Sequence, residues 1–159
     1  ARRASGFGMK VLAYDPYVKE LPEEFQSYVT LCGENEVISG CDFLSLHLPL
    51  NDETRNMISA PQLASMKAGA YVINAARGGI VNEKDLYEAL VSGHIAGAAM
   101  DVSEVEPMAE ENPLRTLDNV IITPHIGMYS KEAIGAVSLI CAQNVAACAA
   151  GAELKFQVV

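Results

Sequence analysis

Three side chains that can bind or move charge stand in short runs rich in small residues and prolines. Arg77 lies in NAARGG (74–79), Glu106 in DVSEVEP (101–107) and His125 in ITPHIG (122–127). A guanidinium grips a carboxylate through two parallel hydrogen bonds. An imidazole exchanges protons near neutral pH, and a carboxylate stabilises its charged form. Together the three residue types predict acid–base chemistry on a small carboxylic acid, whereas singly Arg77 fits a solvated turn and His125 a structural histidine.

These runs follow apolar segments that read as strands of a parallel sheet, because short apolar runs alternate with helical stretches along the chain. Ligands bind outside the carboxyl ends of such strands. The predicted strands are 9–14, 28–32, 42–47, 70–74, 95–101 and 119–123. The predicted helices are 34–39, 61–66, 83–92 and a long one from Lys131 to about Ala150, with Asn82 as a cap and Gly93 as a stop.

Near-continuous apolar strands indicate a sheet covered by helices on both faces. Residues 1–7 read as the end of a helix that runs into the first predicted strand. This opening leads us to expect that the chain starts inside a fold, after a first strand and turn.

Other strand ends carry candidates for binding a nucleotide. Asp15 follows the first strand, where an acid can bind both ribose hydroxyls of an adenosine and repel a 2′-phosphate, although Asp15-Pro16 also fits an ordinary turn. Asp101 could accept a hydrogen bond from a carboxamide. Pro49 fixes an extended turn against which a flat ring could lie. His47, two residues earlier, equally fits a hydrogen-bonded residue at a strand end with no catalytic role. We expect Glu104 to be surface decoration and His94 to be solvated.

The composition narrows the class of protein. The chain has 159 residues, of which 50% are hydrophobic and 19% charged, so disorder is excluded. The net charge of −9 disfavours nucleic-acid binding. No apolar run reaches the roughly 18 residues that span a bilayer, and no signal peptide is visible, so we expect a cytoplasmic protein without membrane contact. The four cysteines show no metal-binding spacing, and we expect buried free thiols.

Three ordered motifs carry a resemblance that runs the length of the chain. NAARGGIVNE (74–83), GAAMDV (97–102) with Glu106-Pro107, and TPHIG (123–127) resemble the D-isomer-specific 2-hydroxyacid dehydrogenases. That family includes phosphoglycerate dehydrogenases, hydroxypyruvate and glyoxylate reductases and D-lactate dehydrogenases. The resemblance implies a Rossmann-like doubly wound parallel sheet of α/β class, lacking its first strand and glycine-rich turn, with a long C-terminal helix. It implies a partial NAD-binding domain over 1–130, then a helix and tail over 131–159 that lead back to a mostly absent substrate domain.

The resemblance also implies roles for individual residues. Arg77 would bind the substrate carboxylate, His125 would be the acid and base, and Glu106 would be the partner of His125. Asp15 would bind the adenosine ribose. The positions implied to surround NAD are Asp15, His47, Pro49, Thr54, Ala75, Ala76, Arg77, Asp101, His125 and Gly127, and no metal is implied.

This sequence departs from the family pattern at several points. The glycine-rich turn that binds the pyrophosphate is missing, so NAD binding by this chain alone is in question, and we expect the chain alone to be inactive. Ser103 stands where the family has an aromatic residue, and Met128 where a second glycine is common.

The leading hypothesis is an NAD-dependent oxidoreductase that interconverts a small 2-oxo acid and a D-2-hydroxy acid, acting as a homodimer when full length. The alternatives are a nucleotide-sensing interaction module of corepressor type and an inactive fragment of a dehydrogenase.

Overall fold

A computed structural model describes residues 1–154, and the chain divides into one compact unit of residues 1–124 and a second that begins at His125. The strands are β1 Val11–Ala13, β2 Val29–Leu31, β3 Phe43–Leu46, β4 Ala70–Asn74, β5 Ile95–Met100 and β6 Val120–Ile122. The helices are α1 Arg2–Gly6, α2 Glu23–Gln26, α3 Glu34–Gly40, α4 Ala60–Ser65, α5 Glu83–Val91 and α6 Lys131–Ala149, with a 3₁₀ turn at Pro113–Thr116. The end of the predicted tail, 155–159, lies outside the described residues.

The first unit contains two parallel sheets. β1 pairs with β2, and β3, β4, β5 and β6 lie side by side in that order, every described pair being parallel. The predicted parallel-sheet α/β fold of Rossmann type with a C-terminal helix is confirmed. Each predicted strand contains an observed one, whereas α2 and the 3₁₀ turn were not predicted.

The core lies on one face of the four-stranded sheet. Leu44 and Val72 point from the strands into a cluster with Leu63 of α4 and with Leu86 and Leu90 of α5, all buried. Burying a leucine side chain contributes about 1.5–3 kcal/mol, so this alternation fixes the strand register. Asn82 caps α5 as predicted, because its Oδ1 accepts a hydrogen bond from the Asp85 N–H at 3.0 Å.

The opposite face of the four-stranded sheet is largely exposed, so the prediction that helices cover both faces is wrong for the described residues. Phe43 and Tyr71, neighbours on β3 and β4, remain 49% and 41% exposed, and Ile121 on β6 is 68% exposed. The rings of Phe43 and Tyr71 stack with their centroids 5.2 Å apart. Strands β3 and β4 thus carry apolar side chains on both faces, but among the described residues only alternate positions of these two strands are buried.

Helix α6 begins at the Ser130 cap, whose Oγ accepts a hydrogen bond from the Ala133 N–H at 3.1 Å. Among the described residues it is the one helix long and apolar enough to cross a membrane, with a mean hydropathy of 1.4 over its window. The sequence prediction looked for an unbroken apolar run and missed this helix, because isolated polar residues interrupt the run without lowering its mean hydropathy much. Length and composition alone are weak evidence for a membrane span.

The expectation of four buried thiols was also wrong. Cys141 and Cys148 on α6 are exposed, Cys32 and Cys41 are half-buried, and all four are free thiols. The spacing of seven residues correctly places Cys141 and Cys148 on one helical face, but it says nothing about what covers that face.

We expect Cys41 to react slowly with iodoacetamide at neutral pH in the folded protein. Burial raises the pKa of the Cys41 thiol and outweighs the opposing effect of the nearby Lys67 charge. Since only the thiolate attacks, a raised pKa lowers the reactive fraction at neutral pH and the rate climbs as the pH rises. Mass spectrometry of the alkylated peptide measures the rate, with Cys41→Ser to assign the adduct. A folded-state rate equal to that of the denatured chain would contradict this prediction.

Candidate active site

The carboxyl ends of β3, β4, β5 and β6 meet at one edge of the larger sheet, because the four strands are parallel neighbours. Four of the predicted site positions follow these ends: His47 after β3, Arg77 after β4, Asp101 and Glu106 after β5. The sequence predicts that the candidate residues lie at the carboxyl ends of the strands, and these four residues are placed there.

The segment Asn74–Gly79, which we call the arginine loop, is shaped from within by a buried amide. Asn74 is completely buried; its Nδ2 donates to the Arg77 carbonyl at 3.0 Å and its Oδ1 accepts from the Ala76 N–H at 3.1 Å. Gly79 has a φ of +80°, which favours glycine. The side chain of Arg77 is exposed, and its guanidinium donates to the Ala76 carbonyl at 2.6 Å. The loop thus presents a cation at the sheet edge on a backbone held by Asn74.

The segment Asp101–Pro107, which we call the glutamate loop, follows β5. Val102 and Ser103 are buried, whereas Glu106 is exposed. The Ser103 N–H donates to Oε1 of Glu106 at 3.3 Å, and the Ser103 hydroxyl donates to the Val105 carbonyl at 2.8 Å. These bonds fold the loop back on itself and hold the Glu106 carboxylate beside the Ser103 amide.

The arginine loop and the glutamate loop touch at Gly78. A Cβ atom built on Gly78 would fall on the carbonyl oxygen of Ser103, so only glycine fits there. The two loops also begin side by side, since the Asp101 N–H donates to the Asn74 carbonyl at 2.9 Å. The structure therefore packs the segment that carries Arg77 directly against the segment that carries Glu106.

Glu104 is not the surface decoration that we expected. Its Oε1 accepts a hydrogen bond from the Glu83 N–H at 3.1 Å, at the first turn of α5, and the Glu104 N–H donates to Oε1 of Glu83 at 2.6 Å. A carboxylate at a helix N-terminus satisfies an unpaired backbone donor and complements the helix dipole. This pair ties the glutamate loop to α5, and two acids 21 residues apart give no local signal of it.

Asp15 lies after β1 in an exposed turn in which its Oδ1 accepts a hydrogen bond from the Tyr17 N–H at 2.9 Å. The Asp-Pro turn that sequence offered as the alternative is thus present. The hydrogen bond uses only Oδ1 of the carboxylate, and the residue lies just after the carboxyl end of β1.

The segment after β3 is an ordered turn around Thr54. The Thr54 hydroxyl donates to the Pro49 carbonyl at 2.7 Å, and Oδ1 of Asn51 accepts from the Thr54 N–H at 2.9 Å. His47 is exposed, with its Nε2 2.9 Å from the Ser45 hydroxyl. Thr54 therefore braces the backbone at Pro49, the position at which we expect a flat ring.

Asp101 ties the ends of β5 and β6 together, because its Oδ1 accepts a hydrogen bond from the Thr123 hydroxyl at 2.6 Å. Ala75 is exposed and Ala76 half-buried on the adjacent arginine loop. The small side chains leave the backbone at this edge open to a ligand.

His125 opens the second unit of the chain. It is exposed and adopts a left-handed conformation, with a φ of +54°, and Gly127 follows two residues later. A positive φ is uncommon for a residue other than glycine, and such residues gather at functional sites. Of the three predicted catalytic residues, the first unit thus brings together the loops of Arg77 and Glu106, and His125 belongs to the second unit.

His94 was expected to be solvated, but it is half-buried at the turn before β5. Its Nε2 lies 3.1 Å from the Met66 carbonyl oxygen. Its place at the amino end of β5 separates it from the edge where the other candidates lie.

In α/β folds of this type, ligands bind at the carboxyl edge of the parallel sheet, which is where the charged candidates of this chain lie. Residues 1–127 match the family described as D-isomer specific 2-hydroxyacid dehydrogenase, NAD binding domain. The chain belongs to this family, and NAD is the cofactor of the domain. The residues present suit this cofactor, since Asp15 offers acceptors to ribose hydroxyls and the backbone at Ala75 and Ala76 is open.

Individual relatives agree with this assignment. The chain is 45% identical over 144 residues to a D-3-phosphoglycerate dehydrogenase of Methanocaldococcus jannaschii, covering 91% of this chain and 27% of that protein. It is 47% identical over 137 residues to a hydroxypyruvate reductase of Thermotoga maritima, covering 84% and 43%. The structure of a D-lactate dehydrogenase with NAD⁺ from Lactobacillus jensenii superposes with a TM-score of 0.85 at 34% identity, covering 98% and 50%. The chain thus spans half or less of each of these relatives.

Proposed function

We propose that the protein containing this chain is an NAD-dependent oxidoreductase that interconverts a small 2-oxo acid and a D-2-hydroxy acid. The observation that carries the proposal is the packing of the arginine loop against the glutamate loop at the carboxyl edge of the sheet. Family membership and the NAD-binding domain support the same class of reaction. The relatives include a phosphoglycerate dehydrogenase, a hydroxypyruvate reductase and a D-lactate dehydrogenase, so similarity alone does not select the substrate.

Each of the three residues has a separate role in this proposal. Arg77 binds the substrate carboxylate with its planar fork and polarises the adjacent carbonyl. His125 donates a proton to the carbonyl oxygen during reduction and removes it during oxidation. Glu106 stabilises the charged imidazole of His125. When bound, the reduced cofactor supplies the hydride.

Compartment and assembly belong to the same proposal. The four free thiols support a reducing compartment such as the cytoplasm. We further propose that the full-length enzyme is a homodimer.

Matched carbonyl compounds test the proposed reaction. The full-length protein should consume NADH with glyoxylate, hydroxypyruvate or pyruvate, and should reject acetaldehyde and acetone, which lack the carboxylate that Arg77 binds. Equal rates with and without the carboxylate would overturn the role of Arg77. No NADH consumption with any 2-oxo acid would overturn the proposed reaction.

We expect Asp15→Ser to weaken the preference for NADH over NADPH. A hydrogen bond to a charged group contributes about 1.5–3 kcal/mol, so loss of the ribose contacts should lower kcat/KM for NADH by about 10–10²-fold. Loss of the negative charge should at the same time raise kcat/KM for NADPH, because the 2′-phosphate is no longer repelled. Steady-state rates with the two cofactors measure the change, and Asp118→Ser, at another exposed aspartate, is the control. An unchanged ratio of kcat/KM for NADH to kcat/KM for NADPH would exclude Asp15 from ribose recognition.

A further inference from the structure

The backbone of Ser103 contacts both loops: Gly78 in the arginine loop and Glu106 in the glutamate loop. Its carbonyl oxygen occupies the space that a side chain at Gly78 would need, one residue from Arg77. Its N–H donates to the Glu106 carboxylate at 3.3 Å. Ser103 is 8% exposed, so its side of these contacts is buried, while the Glu106 side chain is exposed.

The peptide that follows Ser103 is braced from the other side. The Glu104 N–H donates to Oε1 of Glu83 at 2.6 Å, and Oε2 of the same glutamate accepts from Nδ2 of Asn112 at 2.6 Å. Glu83 begins α5, whose buried Leu86 and Leu90 anchor it in the core. The Ser103–Glu104 peptide is therefore held between Gly78 on one side and α5 on the other.

We propose that Gly78 and Ser103 are positioning residues that set the separation of Arg77 from Glu106. The inference rests on the proposed function and deepens it. Arg77 and Glu106 lie on different loops after different strands, and each is exposed. The Gly78 backbone stacked on the Ser103 carbonyl gives the two loops a fixed common surface. Glycine at 78 is required by close approach, since any Cβ there displaces Ser103 and with it the amide that holds Glu106.

Gly78→Ala tests this proposal in the full-length protein. A misplacement of about 1 Å in an active site lowers activity by about 10²-fold, and we expect a loss of that order in kcat/KM for the 2-oxo acid. KM for NADH should rise by a smaller factor, because the proposed adenosine contact at Asp15 lies after another strand and is not displaced. Gly33→Ala is the matched control, since a Cβ at Gly33 meets no atom within 4 Å. It should behave as wild type.

Hydrogen exchange supplies a readout that needs no turnover. In Gly78→Ala the Ser103 amide should exchange faster, because its bond to Glu106 is broken, while amides of the core residue Leu86 keep their protection. If the wild type turns over no 2-oxo acid, the proposed function fails, and the Ser103 exchange rate still decides the positioning role. Unchanged exchange at Ser103 together with unchanged kinetics would overturn it.

Glu83→Ala guards against a Gly78→Ala variant that does not fold. It removes the acceptor of the Glu104 N–H and of Asn112 without creating a clash, so the Ser103–Glu104 peptide loses its brace. We expect faster Ser103 exchange and a smaller loss of kcat/KM for the 2-oxo acid than in Gly78→Ala, again with a smaller change in KM for NADH. Equal losses of kcat/KM for the 2-oxo acid and for NADH would indicate general damage to the fold and contradict the proposal.

Discussion

Replacing Arg77 with alanine should lower kcat/KM for the 2-oxo acid by about 10²–10⁴-fold, because two charge-assisted hydrogen bonds of about 1.5–3 kcal/mol each are lost. The exposed guanidinium sits on a loop whose backbone is held by the buried Asn74. Its removal should therefore leave the loop backbone intact and change KM for NADH by a smaller factor than kcat/KM for the 2-oxo acid. Steady-state kinetics with the best 2-oxo acid measure the change.

Two further variants make the Arg77 result specific. Arg77→Lys keeps the positive charge but loses the planar fork, so its kcat/KM should fall between those of the wild type and of Arg77→Ala. Arg3→Ala removes an exposed arginine on α1 and should leave the kinetics unchanged. If Arg77→Ala turns over the 2-oxo acid like the wild type, Arg77 does not bind the carboxylate.

Replacing His125 with asparagine should lower kcat by about 10²–10⁴-fold, the usual contribution of a general acid or base. In the wild type, reduction needs the protonated imidazole and declines as the pH rises, whereas oxidation needs the neutral imidazole and declines as the pH falls. Both dependences should vanish in His125→Asn, and pH–rate profiles in the two directions measure this.

His94→Asn is the control for the histidine prediction, since His94 lies at the amino end of β5 and contacts the Met66 carbonyl. It should retain the wild-type kcat and pH profile. Glu106→Gln is the companion variant, because a neutral amide of the same shape no longer stabilises the charged imidazole; its reduction should decline from a lower pH. A pH profile that survives in His125→Asn would assign the proton transfer to another group.

The strands of the larger sheet can be predicted from the sequence, because each is marked by a short pattern of neighbouring residues. The predicted strand 70–74 matches β4 residue for residue, and an apolar run followed by Asn-Ala-Ala also places the arginine loop correctly. The helix start at Asn82 is equally local, since a capping side chain and acids in the first turn suffice to mark it. Helix α2 carries the same kind of local signal, Pro22 followed by the acids Glu23 and Glu24, although it is not among the predicted helices.

What could not be predicted depends on partners distant in the chain. Glu83 and Glu104 exchange hydrogen bonds across 21 residues, and neither residue type suggests pairing with another acid. The requirement for glycine at 78 comes from a carbonyl 25 positions later, which no turn pattern reveals. The prediction that Cys141 is buried fails for a similar reason. Periodicity identifies the residues that share a helical face, but it does not show what covers that face.

The stereochemistry of the product tests the central claim most directly. The full-length protein is incubated with pyruvate or hydroxypyruvate and NADH, and the hydroxy acid is resolved by chiral chromatography against the amount of NADH consumed. The account predicts one D-2-hydroxy acid for each NADH oxidised, and product formation by Arg77→Ala at least about 10²-fold slower under the same conditions. An L-hydroxy acid, a racemate, or NADH consumption without a hydroxy acid would contradict it.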